Sequence, residues 1–323
     1  MEASPRDNDI TESANYITKY CEVTAMDVKN AYLPETAHRH FEVRLFNRCV
    51  EPFERPFREH WHFLFEAALI KGGSGVYTTP GAVYPIRPGD VFLFACNEIH
   101  CVTRIDPGAP LQLMNIHIDP SYLWPENGAP LTPRFLAMPF SHSAAFENRL
   151  AADTRAARDI AALMLDVERE FDRRDSEYAL MVRSKLTELF VTLLRETDYL
   201  DESAAQGGAA QHAETVRAAI DYIREHLIES ISLRDIASAV QMSPNYFCTV
   251  FRKTVGVTPW DYITSARVDL AMRLMEQSPD ETLLTIAVRS GFNNTQNFNK
   301  MFAKHTGCTP SEYRRSGYSL GEL

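Results

Sequence analysis

Leu233-Arg-Asp-Ile-Ala-Ser-Ala-Val-Gln-Met-Ser-Pro-Asn-Tyr-Phe-Cys-Thr-Val-Phe251 has an echo about 50 residues later, Leu284-Thr-Ile-Ala-Val-Arg-Ser-Gly-Phe-Asn-Asn-Thr-Gln-Asn-Phe-Asn-Lys-Met-Phe302. Ile236-Ala237 answers to Ile286-Ala287, and Phe251 answers to Phe302. Self-similarity at a fixed spacing marks a repeated structural unit. In the first copy Ser232 is placed to cap a helix over Leu233–Val240, with Asp235 as the capping-box acid. Gln241, Met242 and Ser243 make the turn. Ser243 is placed to cap the next helix, Pro244–Thr254, and Pro244 fills its first position, where a missing N–H costs nothing. Phe247, Val250 and Phe251 then point inward; Asn245, Cys248, Thr249 and Arg252 point out. In the second copy Leu284–Ser290 is the first helix and Gly291 permits a left-handed turn. Asn294 caps a helix reaching His305, with Phe298, Met301 and Phe302 inward and Thr295, Gln296, Asn299 and Lys300 outward.

Two helices joined by a tight turn place the second in the major groove of DNA. Gln and Asn pair bidentately with adenine, and Lys reaches guanine or a phosphate. Arg252, Lys253, Lys304, Arg314 and Arg315 are placed for phosphates, which position a protein without reading sequence. A single such unit is a weak signal, because any helical hairpin with a tight turn imitates it. Two copies around one stiff helix, Pro259–Met275, are a strong one. Its ~17 residues span about 25 Å, which brings the outer helices near one DNA turn, about 34 Å, apart.

Upstream of this half, Asp201–Ala213 is small, polar and Gly-containing and reads as a flexible linker. Before it, Ala156–Phe171 and Glu177–Leu200 read as two amphipathic helices. Leu180, Leu186, Leu189, Phe190, Leu193 and Leu194 form a stripe on the second. That stripe suits either a cover for the upstream domain or a dimer interface, and dimerisation is the expectation. From Tyr16 to Leu123 short runs of β-formers (Phe41–Cys49, His62–Lys71, Gly75–Thr79, Val91–Ala95, Leu111–Ile118) alternate with Pro, Gly and Asn turns, the pattern of a β-sandwich or barrel.

The net charge of the 323-residue chain is −10, which looks wrong for a DNA binder. Residues 214–316, however, hold 12 Lys+Arg against 11 Asp+Glu, so the acidity sits upstream. No apolar run approaches the ~18 residues of a membrane helix, and the polar N-terminus lacks a signal-peptide pattern. A cytoplasmic protein is expected. The six scattered cysteines form no Cys-x-x-Cys pair and suit a reducing compartment.

His60, His62, Leu64 and Glu66 would share one face if their strand is regular. Two histidines and a carboxylate are credible ligands for a divalent first-row metal, with His100 as a possible fourth. The competing reading is a pocket in which the same groups bond a small polar effector. Trp61 and Phe63 fall on the opposite face and read as packing residues. His117 reads as a satisfied core histidine, and Arg87 and Arg104 as solvated.

Residues 214–316 resemble the DNA-binding domain of the AraC/XylS transcription regulators. The resemblance is carried by Ile236-Ala237, Ser243-Pro-Asn-Tyr-Phe247, Gly256-Val-Thr-Pro259, Arg267, Ile286-Ala287, Gly291-Phe292 and Gly307-Cys-Thr-Pro-Ser311. Cys248 and Thr249 stand where members carry longer polar or basic side chains, so the first reader helix is expected to make fewer base contacts than the second. The upstream half resembles a cupin barrel: His60, His62, Glu66 and Gly73 fit its first motif, Gly89 and His100 its second. Glu54, Ala95, Asn97 and Arg104 depart from those motifs, which weakens the case for a metal more than the case for the fold.

The expected fold is α+β, an N-terminal cupin-type β-barrel with a helical hairpin, then an all-α domain of two helix-turn-helix units joined by a linker helix. The expected parts are a disordered tail at 1–14, an effector-binding barrel at 15–140, the dimerising hairpin at 141–200, the linker at 201–213, the double DNA-reading unit at 214–316 and a tail at 317–323. The resemblance implies a non-enzymatic, sequence-specific transcription regulator governed by a sugar or related polar molecule, binding promoter DNA as a homodimer and working with RNA polymerase. The expected DNA contacts are Asn245, Cys248, Thr249, Arg252, Lys253, Thr295, Gln296, Asn299, Lys300 and Lys304; the expected pocket, and the set that would hold a metal, is His60, His62, Glu66 and His100. The alternative is a metal-binding cupin enzyme or metal sensor fused to a DNA-binding domain.

Overall fold

Alternating side chains build the N-terminal half. The computed structural model describes residues 27–32, 42–52, 62–124, 131–200 and 208–315. Nine strands are described: β1 Asp27–Tyr32, β2 Glu42–Val50, β3 Phe65–Gly72, β4 Gly75–Thr79, β5 Ala82–Ile86, β6 Val91–Phe94, β7 Cys101–Ile105, β8 Leu111–Ile118 and β9 Arg149–Leu150. They pair antiparallel in two sheets, β1-β2-β8-β3-β6-β9 and β5-β4-β7. On β3, Phe65, Ala67 and Leu69 join one apolar cluster, whereas Ala68 and Ile70 join another with Tyr77, Ile86 and Val102 of the small sheet. The period of two thus gives the large sheet two buried faces, one toward the small sheet and one toward helices.

A short helix α1, Pro133–Ala137, precedes the helical hairpin, α2 Arg155–Arg173 and α3 Tyr178–Glu196. Thr154 caps α2 by accepting from the Ala157 N–H. The apolar stripe expected to dimerise is used within the chain: Leu186, Leu189, Phe190 and Leu193 are fully buried, and Phe190 meets Phe65 edge-on at 4.8 Å. Each such side chain stabilises by roughly 1.5–3 kcal/mol relative to exposure. Leu180 departs from the expected stripe and is 55% exposed.

Helix α4, Gly208–Glu225, starts inside the stretch read as linker. The reason is composition. Alanine is the best helix former, so Ala209, Ala210 and Ala213 extend the helix backward once Ala213, Val216, Ile220 and Ile223 are buried. Residues 201–207 lie outside the described set.

The rest is helical: α5 Leu233–Ala239, α6 Pro244–Val255, α7 Pro259–Gln277, α8 Leu283–Arg289, α9 Thr295–Thr306 and α10 Pro310–Arg315. The Ser232–Asp235 capping box forms in both directions, and Asn294 caps α9 through the Asn297 N–H. Ser243 occupies its cap position but makes no side-chain bond there, a correction to the expected cap. Pro244, fixed near helical φ, starts that turn without it. Gly291 has φ +86°, and a Cβ there would stand 2.7 Å from the Leu227 carbonyl oxygen. Its counterpart in the first unit is Gln241, at φ 57°.

One apolar cluster runs from the barrel through the hairpin into the first helix-turn-helix unit, ending at Tyr262 and Ile263. The second unit has a separate core, from Val268 on α7 to Tyr313. Cys96 and Cys248 are free thiols. No described helix is long and apolar enough to cross a membrane.

Candidate functional site

Pairing of β3 with β8 sets Glu66 opposite His117 and Ala68 opposite Asn115. The Asn115 amide donates to Glu66 Oε1 at 2.5 Å. Glu66 Oε2 meets three imidazoles: Nε2 of His62 at 2.8 Å, of His117 at 2.9 Å and of His100 at 3.2 Å. Glu66 and His100 are each 1% exposed. Burial pushes the Glu66 carboxyl up, but the charges and hydrogen bonds of His100 and His117 outweigh it and hold the group well below the usual range.

β3 begins only at Phe65, so His62 does not share a strand face with Glu66. It folds back from the approach to the strand, its Nδ1 bonded to the Leu64 carbonyl at 2.9 Å. His60, Trp61 and Glu54 lie outside the described residues. His117 is buried and satisfied, as expected of a core histidine, and the partner that satisfies it is Glu66 of the cluster. His100 arrives despite the altered second motif. Asn97 stands where the motif has Gly, and it adopts the left-handed φ of 65°, which Asn tolerates better than most residues.

The same face carries two groups that sequence reading missed. Arg44 pairs opposite His117 and Arg48 opposite Leu113, and both are buried. Arg48 lies 4.9 Å over the Phe46 ring, which meets His117 edge-on. Arg87 and Arg104 are exposed as expected, Arg104 pairing with Asp106.

Three segments that carry this cluster also touch the helical half. Phe63, next to His62, meets Tyr262 edge-on at 4.1 Å. Asp119, two residues past His117, forms an ion pair with Arg224 of α4, which also donates to Ser121 Oγ and, at 3.1 Å, to the Tyr262 hydroxyl. Asn97 donates from its backbone to the His62 carbonyl at 2.8 Å and from its amide to the Val255 carbonyl, at the end of α6, at 3.2 Å. Between the halves lies a cleft of about 130 Å³ lined by Phe63, Asp119, Arg224 and Tyr262 among others.

On the reader half, the outer faces of α6 and α9 are as expected. Asn245, Thr249, Arg252 and Lys253 are exposed, as are Thr295, Gln296, Asn299, Lys300 and Lys304; Cys248 is half-buried. Lys304 lies 3.7 Å from Asp261. Tyr246, 51% exposed and bonded to His212 at 3.3 Å, shares this surface and was not anticipated. Its position three residues before Thr249 was the available signal.

Residues 54–190 match the family model of the AraC-like ligand binding domain, and residues 236–316 match a helix-turn-helix domain model. The HTH-type transcriptional activator RhaS of Citrobacter koseri is 23% identical over 274 residues, 84% of this chain and 93% of the relative. YobQ of Bacillus subtilis, an uncharacterized HTH-type transcriptional regulator, is 34% identical over 102 residues, 32% of this chain and 42% of the relative. ToxT from Vibrio cholerae has a similar fold, with a TM-score of 0.53 at 14% identity over 91% of this chain and 99% of that one. The chain belongs to the AraC-type transcription regulators, with a ligand-binding N-terminal domain ahead of a DNA-binding helix-turn-helix domain.

Proposed function

We propose that this regulator senses a small polar effector, anionic or rich in hydroxyls, in the space between the two sheets, and passes the signal to its first helix-turn-helix unit. The observation that carries the reading is the adjacency of cluster and interface: His62 beside Phe63, His117 two residues from Asp119, and Asn97 bonded to both halves. An effector that moves these segments biases the arrangement of barrel and reader, and so the DNA sites that can be held together. The chemistry of the lumen supports a polar ligand. ToxT has been solved with an unsaturated fatty acid bound, but here an alkyl chain would lie against buried Arg44, Arg48 and Glu66, and burying such groups against hydrocarbon is costly.

On DNA, Gln296, Asn299 and Lys300 supply most of the base readout, while Arg252, Lys253 and Lys304 hold phosphates. Two copies associate through the outer face of the hairpin, where Leu165, Leu180 and Met181 are exposed. The bound pair engages RNA polymerase, as befits a relative of an activator.

A thermal-shift screen of sugars, sugar acids and other small carboxylates, followed by footprinting with each hit, tests the reading. A ligand of the folded state raises the melting temperature and alters a footprint of about two DNA turns per monomer. A full screen that leaves the footprint unchanged counts against it. Gln296→Ala relaxes operator preference more than Thr249→Ala does; equal losses across a panel of operator variants would overturn that ranking.

A further inference from the structure

The two reader units have separate apolar cores, so something other than a shared core must hold one against the other. Helix α7 runs through both: Tyr262 and Ile263 belong to the first core, Val268, Leu270 and Ala271 to the second. The change falls between Ile263 and Val268, about 7.5 Å apart along the helix axis. Arg267 stands in that gap. It reaches across to the turn that ends α4, where Nε donates to the Leu227 carbonyl at 2.9 Å and Nη2 to the Glu229 carbonyl at 2.7 Å. A guanidinium fork holds two carbonyls at once, and its charge is favourable at the C-terminal end of a helix.

The second unit closes on the same spot. A Cβ on Gly291, in the turn between α8 and α9, would stand 2.7 Å from the Leu227 carbonyl oxygen, 2.9 Å from Arg267 Nε and 3.0 Å from Ile228 Cα. Leu227 itself packs against both cores. Just upstream, α4 is also tied to the first-unit end of α7, where Arg224 Nε donates to the Tyr262 hydroxyl at 3.1 Å. The end of α4 thus wedges between the units where α7 passes from one core to the other. Small movements there are amplified. A tilt of about 10° across the ~34 Å between the reader helices displaces one of them by about 6 Å, more than the ~3.4 Å rise of a base pair.

We infer that Arg267 is a positioning residue for DNA reading: by clamping the end of α4 to α7, against the turn at Gly291, it fixes α9 relative to α6, and so the spacing between the two DNA sub-sites that one monomer accepts. The inference rests on the reading that α6 and α9 enter successive major grooves. Two other roles for the same side chain are separable from this one. An arginine that only contacted a phosphate would be replaced by lysine with little loss, because phosphate contacts need charge more than a fork. An arginine that only stabilised the domain would, when changed, lower affinity at every spacing alike.

The test uses the full-length protein and a duplex that the wild type selects from a randomised library. Footprinting locates the two sub-sites, and the duplex is rebuilt with one or two base pairs inserted or removed between them. Each inserted pair turns the second sub-site by about 35°. The wild type is expected to lose about 30-fold in affinity per inserted pair, and Arg267→Lys and Arg267→Gln about 5-fold or less. Arg267→Lys keeps the charge and loses only the fork. Met301→Ala, which loosens the second core on α9 away from the joint, lowers affinity by one factor at every spacing and keeps the wild-type profile. Arg267 is only partly buried, so both of its variants keep the fold, and circular dichroism verifies this. A wild-type spacing profile in folded Arg267→Lys and Arg267→Gln overturns the inference, as does a uniform loss at every spacing, or a wild type that accepts all spacings equally. A wild type that selects no sequence brings down the regulator reading as well; a selected duplex with unchanged spacing profiles sinks the clamp alone.

Discussion

Both repeats turn through left-handed backbone at the same position, but a different residue occupies it in each. Gly291 and Gln241 occupy the same turn, at φ +86° and 57°. Outside glycine that conformation costs about 1–2 kcal/mol. Gln241→Gly therefore raises the stability of the first unit by up to about 1 kcal/mol, after allowing for the added freedom of glycine in the unfolded chain. Gly291→Ala acts the other way and lowers stability by about 2 kcal/mol or more, because its Cβ also meets Leu227 O at 2.7 Å and Arg267 Nε at 2.9 Å. Denaturant titration measures both. His305 carries a pH signature. Burial, with Lys304 beside it, pulls its pKa from 6.5 down to about 4. The unfolded chain thus takes up this proton near pH 6.5, and the folded chain only near pH 4. Stability from this group is full above pH 6.5 and is lost as pH falls toward 4, by about 1–3 kcal/mol. His305→Gln flattens that part of the stability–pH curve; an unchanged slope would show that the ring is not held neutral.

Among the elements, α4 matters most, and only its start at Gly208 escapes the sequence. Its first residues look like a linker because they are small and polar, yet the helix carries Arg224 into a junction with Asp119, Ser121 and Tyr262. Asp119 and Arg224 are 11% and 13% exposed, so removing one charge strands the other. Arg224→Gln and Asp119→Asn each destabilise by about 3–5 kcal/mol, whereas the double variant loses much less than their sum. A double-mutant cycle in denaturant shows this as a coupling above about 1 kcal/mol; additive losses would mean that the pair is not a unit. The hairpin teaches a related lesson. Its stripe was visible, but periodicity says only that a face is buried and not against what. Phe65 on β3 turned out to be the partner of Phe190.

In the molecule as a whole, the two reader units are not equivalent. The first shares one apolar core with the barrel and hairpin, and the second has its own. Opening α6 exposes part of the larger core, whereas α9 can open with the smaller cluster alone. Backbone amides of α6 therefore exchange at least about ten-fold more slowly than those of α9, a difference of ~1.4 kcal/mol in opening free energy. Equal protection in a hydrogen-exchange experiment would mean that the chain opens as one block. The asymmetry suits a regulator whose sensor grips one reader and leaves the other to find its groove.

Local signals read in sequence correctly located the helices of both reader units, the Ser232 capping box, the turn at Gly291 and the outward Gln296, Asn299 and Lys300. All depend on residues within about one turn of each other, where spacing alone sets the geometry. Glu66, His62 and His100 were also legible, by motif. His117 was half-legible, because Asn115 and His117 alternate with apolar Met114, Ile116 and Ile118, the mark of a polar face. Folding decided the rest. Strand register brings His117 to Glu66, 51 residues away, and domain packing brings Arg224 to Asp119 across 105. No local pattern encodes a partner at such a distance, since the choice rests on which buried faces fill one another across the whole chain.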